Sequence, residues 1–521
     1  MKITFLLHFY QPHNQETDIL ERIVQESYLP LTRGLLKNPK AKIVVNISGT
    51  LTELLVSNRA HVEVINNIKQ LAQNGQVEFT ESAKYHAFLP LLPEVEIKRQ
   101  IEINNKINKQ VFGEFYDPTG FFSPEMAINK KVINIAKELG YKWISASELA
   151  HETGSPKRDV LYKDKDSGMV VFFRHKRSSS LILTAQCRTA EDFIKETQDL
   201  HDELYWFCAM DAETFGHHRI GHEKLLFDIL ENSFFEPVLA RDLLNEIKDV
   251  EETSVRPSTW TNQEQDFWLD KERTQMTEAK SFILWQDPDN PIHKRQWELT
   301  NFVIDTLKDY PNKQEEKYIS AREKLDKAVA SDQYWWASAK PWWSLELVVL
   351  GAFSLKDVIK TLSPGTEYLD KAEEMYRAVL DQAFDWQRTG YIRKMHLDTS
   401  ETFMKKAFKE RTPSEWFNQV VLEFEKEMND SAAKQDFEKA IKWRDAVLKV
   451  KMGTDKHDVL HVVNELWSAR SNIPWAKPQV KPFLDHEWEE FSEFAKNHFI
   501  EVTSKEDFEA WKLKKKTETE N

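Results

Sequence analysis

Cysteine is nearly absent: Cys187 and Cys208 are the only two in 521 residues. Both lie in apolar surroundings, so neither a disulfide framework nor a thiolate metal site is available. They read as core residues of a reduced compartment, which points to the cytoplasm. Long apolar runs are missing too. No uncharged stretch reaches the roughly 18 residues of a spanning helix. The opening "MKITFLLHFYQPHNQ" has a short apolar run interrupted by His8 and no small-residue cleavage site after it, so it reads as a first strand, not a signal. Nor is there an excess of positive charge. With 71 Lys+Arg against 85 Asp+Glu, a net charge of −14, no global field would draw in nucleic acid or an anionic membrane, and a neutral or cationic partner is expected. No internal repeat or low-complexity block is present, and the tail "KLKKKTETEN" is too polar to fold alone.

The chain is long enough for two or three domains, because single cores stop growing at roughly 250 to 300 residues. Tryptophan is abundant, with 17 residues, which is compatible with sugar stacking although core packing is its commoner use. Up to about residue 235, short apolar runs alternate with helical-period segments, the pattern of parallel strands joined by crossover helices. The runs are "KITFLLH", "KIVVNIS", "QVEFT", "GFFSPE", "YKWISAS", "MVVFFRH" and "YWFCAMDAE". Seven of them predict an α/β fold with a closed or nearly closed barrel over residues 1–270. Between them lie helices such as "KKVINIAKELG", which ends in a glycine suited to a C-cap. Beyond about residue 270 long helical patterns predict a bundle over 271–396, then a helical C-terminal extension over 411–521.

Each predicted strand delivers a polar residue at its C-terminal end: His8, Ser48, Glu78, Glu125, Ser147, Arg174 and Asp211. In barrels and open parallel sheets that edge is where loops converge and reacting groups sit. Glu125 and Asp211 stand out by position, 86 residues apart. Glycoside cleavage needs two carboxyl groups, one at the anomeric carbon and one passing a proton to the leaving oxygen. An acid at a strand end also serves as a helix cap or an ion-pair member, and patterning alone leaves these readings open.

Five segments carry a resemblance. "HFYQP" at 8–12 is similar to a first signature usually written H-x-H-Q-P, with Tyr10 in place of the second histidine. "GQVEFTESAKYHAFLPLLP" at 75–93, "GFFSPEMA" at 120–127, "MDAETFGHH" at 210–218 and "ASDQYWWA" at 330–337 follow in order. Together they resemble glycoside hydrolase family 57, the α-glucan-active family that includes α-amylases and 4-α-glucanotransferases. The resemblance implies an incomplete seven-stranded (β/α) barrel followed by an α-helical bundle, and retention through a covalent glycosyl-enzyme. It places the nucleophile on Glu125 and the general acid/base on Asp211. His8, Gln11, Glu78, Glu213 and Asp332 would line the innermost sugar subsite, with Trp336 lining the cleft, and no metal or cofactor is required. The substrate would be an α-glucan or maltooligosaccharide, and "DAETFGHH" tilts the reading to α-1,4 cleavage. Asp211 should have its pKa raised by Phe207, Met210 and Glu213.

Other classes compete. His218 and His222, four apart, could join Asp211 in holding a divalent metal, as in polysaccharide deacetylases. A non-catalytic carbohydrate-binding relative would require loss of one carboxylate, and both are present. "AAKQDFEKAIKWRDAV" at 432–447 resembles the helical hairpin of nucleotide-excision repair proteins, and Phe437, Ile441 and Trp443 with flanking charges fit a protein contact.

Overall fold

The computed structural model describes residues 1–185, 187, 189–219, 221–261, 281–339, 342–398, 409, 414–452 and 509. One compact unit comprises Met1–His218 and His222–His396; the helices of the C-terminal extension belong to a second. The boundary expected near residue 270, the tail and most of 453–521 lie outside the described residues.

All seven predicted runs form strands. Numbered along the chain they are β1 (Lys2–Phe9), β2 (Ile43–Ile47), β3 (Val77–Glu81), β4 (Gly120–Phe121), β5 (Trp143–Ser147), β7 (Val170–Arg174) and β8 (Tyr205–Asp211). Three short strands join them: β6 (Leu161–Asp164), β9 (Glu236–Pro237) and β10 (Val250–Thr253). The sheet runs β10-β6-β7-β5-β4-β3-β2-β1-β8, with β9 also on β1, and only the β6–β7 pairing is antiparallel. It curls into an incomplete barrel, followed by helices. No ladder joins β7 to β8. Instead His175 N–H donates to Phe207 O at 2.7 Å and Arg174 Nε to Ala209 O at 2.8 Å, so that single side chains and loops close the seam.

Strands β2, β3 and β5 are buried at every position, as expected where helices cover one face and the barrel interior fills the other. Register stacks the interior in layers. Asp211, His8, Asn46 and Thr80 are paired across β8, β1, β2 and β3, and two residues earlier the layer is Ala209, Leu6, Val44 and Glu78. Below the upper, polar layer the interior is apolar, with Leu6, Val44, Phe122, Trp143, Phe172 and Phe207 in one cluster. Helices after the strands are capped by short polar residues: Ser48 Oγ, directly after β2, accepts from Leu51 N–H, and Asn129 Oδ1 accepts from Val132 N–H. Gly140, at φ 93, closes the helix Lys130–Glu138 as its sequence predicts.

The bundle is built from the helices Pro291–Asp309, Glu316–Ala328, Leu345–Leu362 and Thr366–Arg388, with a short turn of helix at Asp332–Trp335. A buried ionic clamp joins it to the barrel helix Glu94–Phe112. Arg322 is bidentate to Glu96 at 2.9 and 2.7 Å, and Arg99 to Asp326 at 2.7 and 2.6 Å; Arg322 also reaches Asp326 at 3.1 Å. A one-residue bridge, Ala87 to Ala330, lies beside it. No helix among the described residues is long and apolar enough to cross a membrane.

In the second unit the helices Ser414–Ala433 and Phe437–Met452 form a hairpin around Phe417, Val421, Phe424, Trp443 and Val450. Trp443 is its core residue, whereas Phe437 and Ile441 are exposed at 64% and 48%.

Removing one partner of a buried ion pair strands the other charge. Arg322→Ala should therefore lower unfolding free energy by about 3–5 kcal/mol, read from chemical denaturation. A loss below about 1 kcal/mol, the size expected of an exposed pair, would show that the clamp does not hold barrel to bundle.

Candidate active site

The strand β8 ends in acids because it leaves the core at the barrel mouth. Asp211 is half-buried there, and the chain then turns through Ala212–Thr214, burying Glu213. Ser27 Oγ donates to Ala212 O at 3.0 Å, Gln11 Nε2 donates to Glu213 Oε1 at 2.8 Å, and the Tyr28 hydroxyl donates to the same oxygen. Gly216 has φ 121, and a Cβ there would lie 1.9 Å from Glu26 O, so only glycine lets this turn close against residues 26–27. His217 Nδ1 pairs with Glu26 Oε2 at 2.6 Å.

Glu125 stands in a tight turn after β4. Its backbone is left-handed, φ 60 and ψ 18, and Met126 follows at φ 48. Such a conformation is uncommon for a residue with a Cβ and concentrates at functional sites. Trp260 holds it twice: backbone N–H to Glu125 O at 3.1 Å, and indole N–H to Glu125 Oε2 at 2.8 Å. The Glu125 side chain keeps 19% exposure, and His86 Nε2 lies 3.9 Å from its Oε1.

His8, at the end of β1, donates from Nδ1 to Asn46 Oδ1 at 2.6 Å and packs against His86, Phe122 and the edge of Trp260. From the bundle, Asp332 accepts the Tyr10 hydroxyl at 2.7 Å. Tyr10, the departure from H-x-H-Q-P, thus links barrel to bundle. Trp336 stands with Trp335 and Trp342 in a cluster of half-buried indoles, ring centroids 5.1 to 6.0 Å apart.

These groups act on one another. Burial pushes Glu125 up to about 8; the Trp260 N–H opposes this, and the charges of Asp211 and Asp332 add to it. Asp211 is raised to about 6 by burial, with the Arg174 guanidinium pulling it down, and Glu213 to about 8 by burial and then by Asp211. Asp332 is raised by burial, opposed by Tyr10. The expected rise at Asp211 is present, but its cause is desolvation at the mouth; the repulsion between the two acids is felt at Glu213. Met210 does not contribute as expected, because it packs in the outer core with Cys208 and Phe215, on the other face of the strand.

One expected site residue is elsewhere. Glu78 is the second residue of β3, a layer below the mouth, not at its C-terminal end. Its Oε1 accepts from Thr119 Oγ1 at 2.9 Å and Trp143 Nε1 at 3.1 Å, and its Oε2 from Arg241 N–H at 2.9 Å. Fully satisfied within the barrel, it is a structural carboxylate and does not line the cleft. The metal reading also lacks its geometry. His222 is buried with Nε2 on Ile182 O at 2.7 Å and its ring stacked on Phe215, and among the described residues no group of three or more His, Cys, Asp or Glu is placed to hold a metal ion.

Sequence patterning passes over Trp260, His86, Asn46 and Tyr28. Trp260 is one of 17 tryptophans, and nothing in its segment marks it out. His86 sits inside the quoted segment at 75–93, but nothing local marks it.

Residues 5–256 match the family model for glycosyl hydrolase family 57. The chain carries a glycosyl hydrolase family 57 domain. Alpha-amylase 1 of Dictyoglomus thermophilum is 30% identical over 139 residues, 26% of this chain and 20% of that protein. The α-amylase of Pyrococcus horikoshii is 23% identical over 246 residues, 46% of this chain and 38% of that protein. The aligned stretches thus span well under half the length of these two relatives. The crystal structure of 4-alpha-glucanotransferase from Thermococcus litoralis shares the fold, with a TM-score of 0.55 at 18% identity, covering 70% of this chain and 60% of that one. Residues 419–451 match the UvrB/uvrC motif, over the hairpin of the second unit.

Because the native state raises the Glu213 pKa above its ordinary 4.5, it binds a proton that the unfolded chain releases. The stability this contributes is present below about pH 4.5 and is lost as pH rises through about 8. Glu213→Gln should therefore gain stability relative to the parent between pH 5 and pH 8.5, by on the order of 2 kcal/mol. Urea titrations at the two pH values measure this, and a pH-independent difference would refute the burial argument.

Proposed function

We propose that the protein is a retaining α-glucan-active glycoside hydrolase that cleaves α-1,4-glucosidic bonds of maltooligosaccharides through a covalent glycosyl-enzyme. What carries the reading is the meeting at one barrel mouth of two acids 86 residues apart in sequence, near enough that the charge of Asp211 raises the pKa of Glu125. The membership of residues 5–256 in the family supports it.

In the first step the Glu125 carboxylate attacks the anomeric carbon, and Asp211 passes its proton to the leaving glycosidic oxygen. In the second, the Asp211 carboxylate takes a proton from water as that water attacks, releasing the sugar with its configuration retained. Gln11, Glu213, His8 and Asp332 supply donors and acceptors for the hydroxyls of the innermost sugar, and Trp336 offers an aromatic face. Burial raises both acids, and the reaction needs Glu125 ionised and Asp211 protonated, an order that bound sugar favours by excluding water from Asp211 and by bringing donors to Glu125.

The C-terminal hairpin, including 432–447, is a protein contact in this reading, supported by exposed Phe437, Ile441 and Leu448 and by the motif match. A cytoplasmic location is supported by the burial of Cys187 and Cys208 as thiols.

Incubation with maltoheptaose and separation of products tests the reaction. Shorter sugars alone mean hydrolysis; longer ones as well mean 4-α-glucanotransfer, where a sugar hydroxyl takes the place of water. Glu125→Gln should lower kcat by more than about a thousandfold with the circular dichroism spectrum unchanged. Retained turnover in that variant would remove Glu125 from the nucleophile's role.

A further inference from the structure

His86 lies between β3 and the helix Glu94–Phe112, with 3% of its surface exposed and a left-handed backbone at φ 54. The bundle fixes it at two points: Ser331 N–H donates to His86 O at 3.1 Å, and the Ser331 hydroxyl meets the ring Nδ1 at 2.9 Å. The Tyr10 ring lies flat on the imidazole, centroids 4.0 Å apart and planes 13° off parallel.

The proton positions follow from the hydrogen-bond chain. Asn46 Nδ2 donates to Thr80 Oγ1, so its Oδ1 accepts, and the hydrogen in the 2.6 Å contact belongs to His8 Nδ1. A neutral His8 then has a bare Nε2, which lies 3.1 Å from His86 Nε2. Two ring nitrogens at that distance share one hydrogen, and it is carried by His86 Nε2. His86 Nδ1 is therefore bare and accepts from Ser331. Both rings stay neutral: burial holds His8 down to about 4, and burial with the neighbouring His8 holds His86 well below the usual imidazole range. Trp260 occupies Glu125 Oε2, which leaves Oε1 as the oxygen facing His86 at 3.9 Å.

We infer that His86 is a positioning residue for the nucleophile: when sugar fills the cleft, its Nε2–H, oriented from the bundle by Ser331, turns from His8 Nε2 to Glu125 Oε1 and holds that carboxylate ionised. The inference rests on the glycosidase reading above. Closing 3.9 Å to a charge-assisted hydrogen bond takes a shift of about 1 Å. The proton Glu125 gives up is taken by the Asp211 carboxylate, which leaves an ionised nucleophile and a protonated acid. Glu125 is faced by Asp211 from β8, Asp332 from the bundle, Tyr10 beyond β1 and Trp260, with Arg174 acting on Asp211. Trp260 donates an N–H to its Oε2, and among the described residues His86 brings a second N–H within reach of its Oε1.

The test is the pH dependence of kcat/KM on maltoheptaose for the parent, His86→Ala, His86→Gln and Ser331→Ala. His86→Ala should lower kcat by about 10- to 100-fold with KM within about threefold, and move the acid limb to higher pH, because the nucleophile then ionises less readily. His86→Gln, which restores an N–H, should recover part of both. Ser331→Ala keeps the ring but frees its tautomer and should move the limb in the same direction by less; it carries the test should His86→Ala fail to fold. Limbs unmoved in an active enzyme would overturn this inference alone, whereas no turnover by the parent would overturn it together with the proposed function.

Discussion

Four carboxyl groups share the mouth of one incomplete barrel, and the difficulty of keeping them out of water shapes everything around them. A buried carboxylate without donors gives up its charge or destabilises the fold. Glu213 has Gln11 and Tyr28, Asp332 has Tyr10, Glu125 has the indole N–H of Trp260, and Arg174 lies where its charge reaches Asp211. Those donors come from the ends of β1 and β7, from the segment after β1 and from the chain beyond β10. Satisfying the acids therefore ties distant parts of the chain to one place.

The same demand explains the architecture at the seam. The seam between β7 and β8 carries no ladder of backbone hydrogen bonds. Here β7 and β8 are joined by one backbone bond from His175 and by the Arg174 side chain, whose guanidinium also lies 5.9 Å over the Trp260 ring. Across the mouth, the bundle contributes Ser331 and Asp332, and the paired arginine clamps of Arg99 and Arg322 hold the helix Glu316–Ala328 that leads into them. Strain sits where this positioning is tightest: Glu125 and His86 both have left-handed backbone without being glycine.

Local sequence carries the barrel well. Apolar runs such as "IVVNI" and "YWFCAM" fix their strands because every position in them is buried, and the alternation of such runs with helical periods leaves few topologies besides a parallel sheet. The short strands β6, β9 and β10 are illegible for the opposite reason. "LYKD" and "VEET" are short and polar, and pair only because the sheet edge is already there to receive them. Glu78 shows the limit of reading a strand end from its last charged residue: β3 continues to Glu81, so Glu78 falls inside the barrel, where three donors satisfy it.

What the sequence determined by itself was the seven main strands, the placing of Asp211 at a strand end and of Glu125 just beyond another, and the family signatures, because each depends on residues near one another in the chain. Only the tertiary structure decided the company these acids keep. Trp260 reaches Glu125 across 135 residues and Ser331 reaches His86 across 245. A hydrogen bond between such distant residues leaves no periodicity or spacing behind. Burial, which raises the acids, and the tautomers, which the hydrogen-bond chain imposes, belong to the folded neighbourhood and not to any segment of it.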